Sequence, residues 1–405
     1  MPATYAYKVR DRQGKIISGA IEAESAQAVA SKLRSMGYVV LEIQEKKEAL
    51  SFSLSFRRKI TQKDLTVFSR QFATMINSGV SITRALAILA EQTENPTLAE
   101  VIKQLRKDVE AGLSLSEALA KQRKIFPPIF INMVRAGEAG GVLDETLLRL
   151  AEHFEKDAAI KARVKSALTY PVAVLVFSLF IATAMIIFVV PTFMNMFESL
   201  GGNLPAATMM LVNLSNFMRS KWYLIIGSIV LLVYSYRALN KTDKGKYFFD
   251  NLKLRLPVFG GLIKKMAISK FARTFSTLVA SGVPILQAMD IVADTAGNEV
   301  VARALRETRA SIKEGETISK PLSKFSVFPP MVVQMIAVGE ETGALDTMLK
   351  KIADFYDEEV AAMVDSLTSL LEPLLMIFLG IVIGGIVIAL YLPMFSIISV
   401  LNQQG

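Results

Sequence analysis

The sequence predicts an all-α membrane protein: two repeated cytoplasmic six-helix bundles with three transmembrane helices, preceded by a small N-terminal ββαβ domain. Three observations carry this expectation. The first is an internal repeat. Ser78-Gly-Val recurs as Ser281-Gly-Val, and Asn95 and Gly112 recur as Asn298 and Gly315 at the same offset of 203 residues. One residue is then lost, and Phe126-Pro-Pro, Gly137-Glu138 and Gly141-x-Leu-Asp144 recur as Phe328-Pro-Pro, Gly339-Glu340 and Gly343-x-Leu-Asp346. The second is a pair of uncharged 21-residue segments, 171–191 and 373–393, one after each repeat. About 20 apolar residues are needed for a helix to cross a bilayer. The third is the balance of a chain 52% hydrophobic yet 20% charged, which suits large aqueous domains carried on a few spans.

The elements follow in order. Residues 1–44 alternate as strands at Thr4–Val9, Ile16–Glu22 and Tyr38–Ile43, with a turn at Asp11–Gly14 and a helix from Ser25 to Met36 stopped by Gly37. Residues 45–60, rich in Lys, Arg and Ser, read as a linker. The first bundle occupies 61–168. Thr61-x-x-Asp64 and Ser114-x-x-Glu117 are capping boxes, Asn95-Pro96 caps and starts a helix, and Gly79, Gly112 and Gly140-Gly141 stop helices. Its sixth helix continues from Val142 into a span at 169–193. A loop at 194–221 leads to a second span at 222–239, whose aromatic ends Trp222, Tyr223, Tyr234 and Tyr236 suit a membrane interface. The second bundle fills 240–370, the third span 371–395, and a tail 396–405.

Charge sets the expected orientation. Lys and Arg number 26 in residues 1–170, two in 192–221 and 18 in 237–372, and basic residues favour the cytoplasmic side. The N-terminus and both bundles are therefore expected in the cytoplasm, with 194–221 and the C-terminus in the periplasm. Residues 1–60 hold no charged-then-apolar leader pattern, so no cleaved signal peptide is expected.

Several function classes are excluded or demoted. There is no cysteine, and the single His153, expected on a solvated helix surface, precludes any site needing two histidines. Gly14-Lys15 and Gly245-Lys246 lack the upstream glycine of a phosphate-binding loop. No catalytic, cofactor or metal site is expected. The acids near Gly137-Glu138 and Gly339-Glu340 could hold a hard cation, but a helix–turn–helix with acids near a helix N-terminus accounts for them. The net charge of +9 is spread rather than clustered, which argues for anionic lipid over nucleic acid. A transporter would need polar or broken helices at the midplane, and spans one and three carry no charge.

The candidate partner-binding or bundle-locking residues are Arg70, Gly137, Glu138 and Asp144, and their repeats Arg273, Gly339, Glu340 and Asp346. Gly380 and Gly384 form a GxxxG spacing in span three that would allow close helix packing. Glu372 stands where Tyr170 stands in the first copy, so the two copies are not expected to make identical contacts.

Arg70-Gln-Phe-Ala-Thr-Met with Ser78-Gly-Val, Asn132-Met-Val-Arg-Ala-Gly-Glu138, Phe328-Pro-Pro-Met with Val338-Gly-Glu, and Tyr391-Leu-Pro-Met-Phe395 together resemble the inner-membrane platform proteins of type IV pilus and type II secretion machines. The resemblance runs from about residue 61 to 397, and the N-terminal domain resembles one that many members carry. Ile352-Ala-Asp-Phe-Tyr-Asp looks closer to the pilus branch. The resemblance implies a non-enzymatic protein of the bacterial inner membrane. It would couple a hexameric assembly ATPase to pilin subunits, beside other inner-membrane alignment-complex proteins. A homo-oligomer, dimer or larger, is expected.

Overall fold

A computed structural model describes residues 3–10, 16–23, 25–45, 58–199 and 205–401. The turn expected at 11–14, most of the linker and the last four residues lie outside them. The chain divides into two compact units, 1–58 and 59–405.

The first unit is a three-stranded antiparallel sheet of order β2-β1-β3, from β1 (Ala3–Arg10), β2 (Ile16–Ala23) and β3 (Val39–Glu45), with α1 (Ala26–Ser35) between β2 and β3. The Ser25 hydroxyl accepts the Ala28 N–H at 3.2 Å and starts α1. Val29 and Leu33, one turn apart on α1, bury against Tyr5 and Val9, two inward positions four residues apart on β1.

In the second unit the first repeat forms α2 (Gln62–Asn77), α3 (Ile82–Gln92), α4 (Pro96–Glu110), α5 (Leu115–Lys121), α6 (Pro128–Gly140) and α7 (Leu143–Ala184). Both capping boxes close in the expected way, at Thr61/Asp64 and Ser114/Glu117. Gly141 sits at φ +70, the left-handed conformation that ends α6 and turns the chain into α7. Phe68, Phe72, Phe126 and Phe130 meet in one buried cluster, with Phe68 stacked on Phe72 and Phe126 edge-on to Phe130.

Helix α7 leaves the bundle without a break. It runs through a π-helical turn at Met185–Val189 into α8 (Val190–Ser199). The segment expected as a loop is instead helical: α9 (Ala206–Ser220) packs against the spans, with the Thr208 hydroxyl donating to the Ala389 carbonyl at 2.5 Å. Val212 of α9 buries with Ala182, Ile186, Val190, Ile386 and Leu390. Low charge marked 194–221 as an external connection, whereas the apolar residues of Ala206–Ser220 let that stretch fold back as a helix. Next comes α10 (Trp222–Leu239), none of whose residues is buried.

The second repeat forms α12 (Phe259–Ala280), α13 (Ile285–Thr295), α14 (Glu299–Lys313), α15 (Ser319–Leu322), α16 (Pro330–Thr342) and α17 (Leu345–Leu401), preceded by an extra helix α11 (Asp243–Arg255). At 1.5 Å per residue α17 is a rod of about 85 Å. Three helical segments, Leu143–Met196, Trp222–Leu239 and Leu345–Pro393, are long and apolar enough to cross a membrane.

Candidate functional site

The repeated residues build three devices, each present in both modules. The first locks the short fifth helix. Glu138, in the last turn of α6, accepts the backbone N–H groups of Leu115 at 2.6 Å and Ser116 at 3.1 Å. Glu340 does the same for Ile318 and Ser319. The first N–H groups of a helix have no partner within it, and a carboxylate there also meets the positive end of the helix dipole. The glutamates thus sit on helices rather than in the turns where the sequence suggested them, and both oxygens of each are engaged within the chain.

The second device is a close helix approach. A Cβ on Gly137 would stand 2.8 Å from the Thr146 hydroxyl and 3.2 Å from the Leu143 Cα. On Gly339 it would stand 3.0 Å from the Leu345 Cα and 3.2 Å from Met348. Glycine is what allows α6 to lie on α7, and α16 on α17. Asp144 and Asp346 occupy the first turns of α7 and α17. Asp144 is exposed, and the structure does not gather these two aspartates with the glutamates through any hydrogen bond or ion pair among those described. Among the described residues no group of three or more acids or histidines could hold a metal ion.

The third device ties the first helix of each module to the long one. Arg70 on α2 grips Glu155 on α7 with two N–H groups, Nε donating at 2.5 Å. Arg273 on α12 pairs with Asp357 on α17, with Asp354 at 3.7 Å. Glu155 and Asp357 were not singled out from sequence, although they stand at the same offset of 202 as the other late repeats. The two pairs differ in burial. The Arg70 and Glu155 side chains are 37% and 40% exposed, those of Arg273 and Asp357 only 9% and 21%. The hydrogen bond to Glu155 raises the Arg70 pKa, whereas burial lowers that of Arg273 against the pull of Asp354 and Asp157.

Arg273 is buried because the two modules meet there. Across their seam Lys156 pairs with Asp354 at 2.8 Å, and Arg163 with Asp365 at 2.7 Å. Arg163 and Asp365 are the same position of the two repeats. Gln287 donates to Asn132 at 2.8 Å. A cavity of about 210 Å³ in the seam is lined by His153, Asp157, Lys161, Lys270 and Arg273. His153, expected on the surface, is buried here, and burial lowers its pKa to about 4 despite Asp157 nearby. A single helix pattern cannot reveal a seam with a second module. In span three, by contrast, a Cβ on Gly380 or Gly384 would meet nothing within 4 Å. Among the described residues the GxxxG spacing therefore packs no helix of this chain, and its face is open.

Residues 68–191 and 271–393 match the family described as "Type II secretion system (T2SS), protein F", and residues 1–44 match that family's N-terminal domain. The chain is 45% identical to a type IV pilus assembly protein PilC of Thermus thermophilus over 99% of both chains. It is 42% identical to the PilC of Myxococcus xanthus, covering 98% of this chain and 95% of that one. It is 30% identical to a type II secretion system protein F of Vibrio cholerae, covering 99% and 100%.

Proposed function

Because the chain belongs to the type II secretion system protein F family, the platform proteins of type IV pilus and type II secretion systems, we propose that it is the inner-membrane platform of a type IV pilus. In this reading it couples a cytoplasmic hexameric assembly ATPase to the insertion or extraction of pilin subunits. One observation carries the choice of branch: the chain is 45% identical to a pilus assembly protein over its full length, against 30% and 33% for two secretion-system proteins of similar coverage. A secretion platform is the second reading.

The geometry supports a passive coupler. Helices α7 and α17 are continuous from the bundles into the apolar segments, with Pro171 and Pro373 at the points of entry, so a displacement of either module reaches the membrane through helix rather than through a loop. The seam pairs Lys156–Asp354 and Arg163–Asp365 tie the two rods together. The bundles face the cytoplasm, following the distribution of Lys and Arg. Glu138, Glu340 and the two arginine pairs act as internal locks that keep each bundle stiff under load. The open face at Gly380 and Gly384 is where a second copy packs in the membrane.

Deleting the coding sequence and imaging the cell surface tests this. Loss of surface filaments, restored by the intact chain, is expected. Intact filaments with a block in the release of secreted proteins would replace the pilus reading with the secretion reading.

A further inference from the structure

Among the described residues helix α11 has no counterpart in the first module, and its two faces differ in chemistry. One face is fastened to α14. The Glu299 N–H donates to Asp250 at 2.9 Å, Lys246 pairs with Glu299 at 3.0 Å, and the Arg303 guanidinium lies 4.3 Å from the Tyr247 ring. The opposite face carries Lys241 just ahead of the helix, then Lys244, Phe248, Leu252 and Arg255 at helical spacing, all exposed. Phe248 is 63% exposed and Leu252 48%. None of the three cations on this face is paired with a carboxylate among the described residues.

The position of α11 is fixed by the end of α10. The Phe249 ring meets the Tyr236 ring at 4.9 Å, and a Cβ on Gly245 would stand 2.0 Å from the Leu239 carbonyl. Tyr236 belongs to the aromatic end of α10, the depth at which tyrosine rings meet lipid headgroups. The start of α11 therefore lies against the membrane-surface end of a span, with an apolar and basic stripe uncovered.

We propose that α11 is an interfacial helix that seats Phe248 and Leu252 in the bilayer surface and binds anionic lipid headgroups through Lys241, Lys244 and Arg255. The inference rests on α10 crossing the bilayer. Helices of this composition lie in the interface plane with the apolar face about 5–10 Å deep, and each basic residue near an anionic surface adds to the attraction. A neighbouring protein surface is a weaker fit, because it would leave three unpaired cations to be desolvated. The consequence is asymmetric: the lipid surface holds the second module through α14, while the first module has no such helix among its described residues.

The chain has no cysteine, so single labels can be placed cleanly. Nitroxides at Phe248→Cys, Ile226→Cys in α10 and Glu307→Cys on the exposed side of α14 would be compared in full-length protein in lipid nanodiscs. Phe248 should resemble Ile226, open to oxygen and shielded from a water-soluble nickel chelate, while Glu307 is open to the chelate. Adding phosphatidylglycerol to phosphatidylcholine should deepen the Phe248 label, and Lys244→Glu with Arg255→Glu should abolish that response. Chelate access at Phe248 equal to that at Glu307 would overturn the proposal. So would shielding from both reagents, which would mean that protein covers the face. An aqueous signal at Ile226 would remove the span reading itself, and this inference with it.

Discussion

The two arginine pairs occupy one repeat position in different surroundings, so the same truncation should cost different amounts. Arg70→Ala removes a pair whose members are both more than a third exposed. Exposed ion pairs are worth about 0.2–1 kcal/mol after screening, so the loss should be about 0.5 kcal/mol. Arg273→Ala strands Asp357 in the seam, where removing one partner of a buried pair costs about 3–5 kcal/mol. Two features soften that figure. The Ser269 hydroxyl still donates to Asp357, and Lys156 still neutralises Asp354. The expected loss is about 3 kcal/mol. In a unit of this size, each kcal/mol shifts the melting temperature by about 2 °C. Helical circular dichroism in detergent should therefore show a drop of about 1 °C for Arg70→Ala and about 6 °C for Arg273→Ala. Adding Asp357→Asn to Arg273→Ala should recover part of the loss, because the stranded charge is then gone. Equal shifts for the two single variants would refute the claim that the seam, rather than the pair itself, sets the cost.

Three further outcomes are expected. His153 is depressed when folded, so the unfolded chain binds its proton first; stability should fall as pH drops from 6.5 toward about 4. Of this, on the order of 1–2 kcal/mol is lost by about pH 5, and His153→Phe, which installs the residue of the second repeat at Phe355, should flatten that slope in urea melts. Glu138→Ala leaves two N–H groups at the start of α5 without their acceptor, and at about 1–3 kcal/mol for each unsatisfied group it should speed proteolysis between α4 and α6; cleavage rates unchanged from the native chain would contradict the lock. Gly137→Ala should cost about 1–3 kcal/mol by forcing α6 off α7, whereas Gly380→Ala should leave the melting temperature unchanged but weaken self-association in cross-linking.

Much of this architecture was legible because its punctuation is local. Gly79, Gly112 and Gly141 must take positive φ, and Asn95 caps the helix that follows it, so these residues reappear in the second repeat as Gly282, Gly315, Gly343 and Asn298. The family resemblance shares only Gly79 with that set and rests otherwise on stretches such as Asn132–Glu138 and Tyr391–Phe395. What stayed hidden depends on partners distant in the chain. Nothing near His153 says that a second module covers it, and nothing near Arg70 names Glu155, 85 residues on. The repeat offset held that signal, since Glu155 and Asp357 align once the arginines are aligned. Helix α9 was missed because charge counting assigns a side of the membrane and says nothing of folding back onto the spans. Helix α11 was missed because its buried face is defined by α14, where Asp250 takes the Glu299 N–H.

In the proposed role the chain transmits the work of an ATPase without doing chemistry itself. Photo-cross-linking tests this most directly, with the reactive group placed in turn on exposed positions of both modules, such as Lys103 and Glu307, in membranes that contain the assembly ATPase. Cross-links to the ATPase that change between the ATP-bound and ADP-bound states are expected, together with no nucleotide hydrolysis by the purified chain alone. Cross-links confined to other proteins, unaffected by nucleotide, would contradict that role.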